Sequence, residues 1–157
     1  IFFNSGQVCA AGSRLFAHKK VFDKVVEGIA TEAKRLKVGP GLVPDTEIGP
    51  LVSEEQFQRV TSYLQAGAKE GATVLVGGNA AGNRGYFVEP TILANTDRGM
   101  SVRQEEIFGP VLCAMSFDDD DLENIATVAM IFSFLDQLHV FIIRYIAAFV
   151  PYPPERI

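Results

Sequence analysis

Apolar residues in this chain change their period from one segment to the next, and that alternation restricts the fold more than any other feature. Over residues 21–36, Phe22, Val25, Val26, Ile29, Ala33 and Leu36 fall on one helical face, and Gly39-Pro40-Gly41 ends the segment. Ser53 followed by Gln56 is a capping-box pattern, and Phe57, Val60, Leu64 and Ala68 carry a second helical stripe to Gly71. Around these helices lie short apolar runs with strand character: residues 13–18 (SRLFAH), 73–76 (TVLV, closed by Gly77-Gly78), 86–93 (YFVEPTIL, with Pro90 at an edge or bend) and 111–117 (VLCAMSF). Asp residues at 118–121 are expected to cap a helix starting near Leu122, and the Pro- and Gly-rich GLVPDTEIGPL is expected to be a loop wrapping the surface. Strands alternating with helices predict a layered α/β domain.

The chain is long enough, at 157 residues, to bury a core of its own. With 48% apolar and 21% charged residues it is neither a disordered tail nor a coiled coil. A net charge of −5, with 14 scattered Lys and Arg, argues against a nucleic-acid surface and leaves small molecules or proteins as partners. Two dissimilar cysteines form no disulfide framework, so a reducing, cytoplasmic setting is expected, and no metal site is. The chain opens on Ile1-Phe2-Phe3 without an initiator Met or a signal-peptide pattern, which suggests a fragment. From about Thr127 the sequence changes character. Runs 128–134 and 140–150 are almost wholly apolar, interrupted by Asp136, Gln137, His139 and Arg144. Each run is shorter than the ~20 residues a bilayer requires, and each internal charge would cost about 2.5–3.5 kcal/mol, so no membrane span is expected.

Cys9 lies among the small residues Gly6, Ala10, Ala11 and Gly12, where backbone N–H groups can approach a ligand, as a thiolate nucleophile and its oxyanion require. From these residues alone a lone Cys beside Ala and Val reads more often as a small buried hydrophobe than as a nucleophile. Cys113, between Leu112 and Ala114, reads as core. Taken singly, Glu105-Glu106 is an acidic turn, Gln56 and Arg59 are exposed helix polars, and Phe108 is a core aromatic.

The segment FFNSGQVCAAGSR resembles the nucleophile segment of the aldehyde dehydrogenase superfamily, and QEEIFGPV at residues 104–111 resembles its second motif, with VGPGLVPDTEIGPLVS between them. The resemblance covers residues 1–126, as part of a catalytic domain, and leaves 127–157 as an apolar tail that does not match. It implies that Cys9 attacks an aldehyde to give a hemithioacetal and then a thioester, with NAD or NADP as hydride acceptor. It further implies that Glu106 holds the nicotinamide ribose and that Phe108 packs near the nicotinamide end. Gln56 and Arg59 would contact the adenosine ribose, the latter position being usually Lys. Phe3, Val8 and Ala10 would line the aldehyde tunnel, and the local wording is similar to phenylacetaldehyde-type enzymes.

Family members carry their nucleotide-binding domain, general-base Glu and oxyanion Asn before the nucleophile, and assemble as homo-oligomers. The isolated chain is therefore expected to be inactive. Past residue 126 the family continues with Ala-Asn-Asp, whereas here Val128-Ala129 leads into Met130-Ile131-Phe132. A single-base slip is one account, since AAT GAT read one position later begins ATG AT. A non-catalytic module that self-associates through the tail is the alternative to the enzyme reading.

Overall fold

The computed structural model describes residues 1–121 and 139–143. After a short turn, β1 (Gly12–His18) leads into α1 (Phe22–Arg35); α2 (Glu54–Glu70) and β2 (Thr73–Val76) follow, then β3 (Thr91–Ala94), the single-turn α3 (Ser101–Gln104), β4 (Val111–Phe117) and β5 (His139–Ile143). The strands form one sheet in the order β2-β3-β4-β1-β5. β3, β4, β1 and β5 run parallel, and β2 joins β3 antiparallel. The layered α/β architecture expected from the alternating pattern is the one observed.

Local sequence explains the helix limits. Ser53 caps α2 by accepting a hydrogen bond from the Gln56 N–H at 3.2 Å, and Gly71, left-handed at φ 103°, ends it. The face of α1 carrying Val25, Val26 and Ala33 is buried, and Leu36 is already extended, one residue short of the expected end. The sheet separates two cores because side chains alternate along its strands. In β4, Val111, Cys113, Met115 and Phe117 join Val60 and Leu64 of α2, whereas Leu112 and Ala114 join Val25, Val26 and Ala33 of α1. Burying each large apolar side chain contributes about 1.5–3 kcal/mol, so helices on both faces are needed to cover the parallel strands.

One strand is shorter than its sequence pattern. Of residues 86–93 only those from Thr91 onward join the ladder, while Val88 makes an isolated bridge with Ala80. Pro90 lacks an N–H and interrupts the pairing. Residues 41–51 form the expected loop, anchored by buried Ile48 and Leu51. Asp119–Asp121 form one 3-10 turn, and the helix expected near Leu122 lies outside the described residues. Within the apolar tail, β5 pairs with β1, whereas residues 122–138, with Met130, and 144–157 lie outside the described residues. No helix among the described residues is long and apolar enough to cross a membrane.

Candidate active site

The two motifs converge because of strand order. β1 and β4 are adjacent and parallel, with Arg14 opposite Cys113, so the segments entering them lie side by side at the same end of the sheet. Between them is a narrow cleft lined by Gly6, Val8, Cys9, Glu106, Phe108 and Gly109, among others. Its enclosed volume of about 20 Å³ holds roughly one water.

Cys9 is exposed and sits with Ala10 at the corner of a tight turn closed by the Ala11 N–H donating to the Val8 carbonyl at 2.9 Å. The preceding turn is bent by three consecutive left-handed residues, Asn4 (φ 49°), Ser5 (φ 56°) and Gly6 (φ 71°). Two side chains fix this bend to the loop before α2: the buried Ser5 hydroxyl donates to the Gly49 carbonyl at 2.8 Å, and Gln7 Oε1 accepts from the Val52 N–H at 3.0 Å. A β-carbon on Gly6 would collide with the Gly109 carbonyl, so only glycine lets the two motif segments meet backbone to backbone.

Across the cleft, the neighbouring glutamates have different surroundings. The Glu105 carboxylate accepts from the Tyr63 hydroxyl at 2.6 Å, a bond that, with partial burial, raises the Tyr63 pKa. The half-buried Glu106 carboxylate has no hydrogen bond or ion pair among the described residues. It is therefore free to accept hydrogen bonds from a ligand. Phe108 is left-handed at φ 56°, a conformation that costs a non-glycine residue about 1–2 kcal/mol and must be held by its surroundings.

Gln56 and Arg59 lie behind this segment. Gln56 Nε2 donates to the carbonyls of Ile107 (3.1 Å) and Phe108 (2.8 Å), and an Arg59 guanidinium N–H donates to the Glu106 carbonyl at 2.8 Å. Phe3 is 76% exposed and lines a neighbouring groove with Val52 and Phe108, while Val8 shares the cleft with Cys9 and Ala10 is exposed at the turn. Sequence reasoning overlooked Arg14. Only 2% exposed within β1, it donates through Nε to the Arg103 carbonyl at 2.6 Å and through a terminal nitrogen to the Glu105 carbonyl at 3.0 Å. The available signal was an arginine inside an otherwise apolar strand. Burial lowers its pKa, yet a guanidinium remains charged.

Cys113 is core, as expected. It is 2% exposed, its thiol donates to the Val102 carbonyl at 3.2 Å, and burial pushes its pKa up to about 11. No group of three or more His, Cys, Asp or Glu suited to a metal ion occurs among the described residues.

Comparison with known proteins identifies the family. The sequence signature of the aldehyde dehydrogenase family matches residues 1–128. The chain is 51% identical over 121 residues to DhaS of Bacillus subtilis, covering 77% of this chain and 24% of that protein. It is 45% identical over 117 residues to the mitochondrial aldehyde dehydrogenase of Rattus norvegicus, covering 74% of this chain and 22% of the relative. Among solved structures, the NAD+ complex of an aldehyde dehydrogenase from Bacillus cereus superposes with a TM-score of 0.77 at 36% identity, covering 92% of this chain and 33% of that one. The chain belongs to the aldehyde dehydrogenase family. It spans about a quarter of the length of the curated relatives it matches.

Proposed function

We propose that this segment supplies the nucleophile and part of the cofactor site of an enzyme that oxidises an aldehyde to a carboxylic acid with NAD or NADP. The observation that carries the reading is the shared cleft, which is lined by the exposed Cys9 together with Glu106 and Phe108.

The Cys9 thiolate attacks the carbonyl carbon of the aldehyde, forming a C–S bond and an oxyanion. The Cys9 backbone N–H has no hydrogen-bond acceptor among the described residues and can donate to that oxyanion. Bound NAD(P) supplies a hydride acceptor. Glu106 would hold the nicotinamide ribose hydroxyls, and Phe108 would pack at the nicotinamide end. Loss of hydride from the hemithioacetal to that acceptor would leave a thioester, which water cleaves to release the acid and the thiol. Glu106 is the one carboxylate lining the cleft among the described residues.

Val8 and Phe108 give the cleft an apolar border, which suits an aromatic or aliphatic aldehyde, with phenylacetaldehyde as the first to try. A free exposed thiol suits a reducing, cytoplasmic setting. The complete enzyme is taken to be a homo-oligomer.

The test is a graft. The matching stretch of the rat mitochondrial enzyme is replaced by residues 1–126 of this chain, and reduced cofactor is followed with phenylacetaldehyde and NAD. Turnover that disappears in Cys9→Ala is the expected result. A folded graft without turnover, or turnover surviving Cys9→Ala, overturns the reading.

A further inference from the structure

The carbonyls of Arg103 and of four consecutive residues, 105–108, all accept hydrogen bonds from side chains of other elements. Arg14 from β1 takes the first two, and Arg59 and Gln56 from α2 take the remaining three. Loop carbonyls more often face water. The donors approach from both the sheet and the helix, and the segment they hold contains the left-handed Phe108.

We propose that Arg14, Gln56 and Arg59 are positioning residues that clamp the backbone of residues 105–108, so that the Glu106 carboxylate and the Phe108 ring are preformed against the cleft of Cys9. The inference rests on the reading of Glu106 and Phe108 as cofactor-facing groups, and it changes the role of the helix pair. Both N–H bonds of the Gln56 amide are already directed at carbonyls, which leaves Oε1 alone for a ribose hydroxyl. Gln56 and Arg59 thus act through the backbone they hold. Arg14 joins them from the opposite side, where its rigid fork spans two carbonyls that a lysine could not span together.

The test measures backbone order by 15N relaxation in the 157-residue chain, without cofactor. Amides of residues 106–109 should give order parameters of about 0.85, the level of rigid backbone. Gln56→Glu keeps the side chain's size but turns its donors into acceptors, and should drop these values below about 0.6 while α2 and β4 keep theirs. Arg59→Lys retains one donor and should preserve order, whereas Arg59→Met should not. If Arg14→Lys fails to fold, the α2 variants still decide the matter. A segment already mobile in the unaltered chain, or one equally ordered in Gln56→Glu and Arg59→Met, overturns the clamp. Because no cofactor is present, the outcomes separate. An inactive graft with a rigid, clamp-dependent segment sinks the enzymatic reading alone, and an active graft with a clamp-independent segment sinks this one alone.

Discussion

Gly6 and Gly109 meet without side chains between them. The Gly109 carbonyl fills the place of a Gly6 β-carbon, and Val60 of α2 closes on the far side of Gly109. The thiol segment thus rests on the carboxylate segment, which rests on the helix. Gly6→Ala meets both a left-handed backbone and a rigid backbone neighbour, and should destabilise the fold by about 2–4 kcal/mol in urea titrations. A change below about 0.5 kcal/mol, the scale of an ordinary surface substitution, would show that the segments do not touch.

Gly28 offers the opposite case. It lies exposed within α1, and a β-carbon there meets nothing within 4 Å. Gly28→Ala should raise stability by about 0.5–1 kcal/mol through helix propensity, read as a later denaturation midpoint.

The two thiols should separate cleanly in alkylation. At pH 8 iodoacetamide should modify Cys9 in the folded chain and reach Cys113 only after denaturation, as peptide mapping would report. Equal labelling of both in the native state would contradict the burial of Cys113.

The Cys113 thiol also sets an alkaline limit. Its folded pKa is raised from near 9 to about 11 by burial, so the unfolded chain loses this proton first as pH rises. The associated stability is fully present below about pH 9 and falls until about pH 11, by on the order of 3 kcal/mol. Cys113→Ala should be less stable at neutral pH because it leaves a cavity, yet its denaturation midpoint should decline less over that window.

Ser53 holds the first turn of α2 and, through it, the placement of Gln56. Ser53→Ala should cost about 1 kcal/mol in a thermal or urea titration. Ser53→Asp, which retains a capping oxygen, should recover most of that loss.

What could be read from the chain beforehand follows from the range of each interaction. The α2 cap, the α1 face and the burial of Cys113 depend on neighbours a few residues away, and their patterns were legible. Thr91 begins a strand that the apolar run YFVEPTIL places earlier, because ladder pairing depends on a partner strand and on the missing N–H of Pro90. The hydrogen bonds that Gln56, Arg59 and Arg14 make were not legible. Their donors reach carbonyls distant in sequence, and nothing local to an arginine in a strand or a glutamine on a helix says which way it points. Cys9 and Glu106 stand out in the sequence only through motif resemblance, and the cleft they share comes from the adjacency of two parallel strands.

That adjacency gives the sheet two unlike ends. Cys9, Glu106 and Phe108 gather where β1 and β4 begin, whereas where they finish there are the exposed lysines 19 and 20 and the aspartates of a 3-10 turn, tied by a Lys19–Asp118 ion pair at 2.9 Å. A tether, dye or affinity handle fixed at that remote rim would leave the exposed Cys9 undisturbed, so the rim is where the molecule can be held while its opposite pole is interrogated.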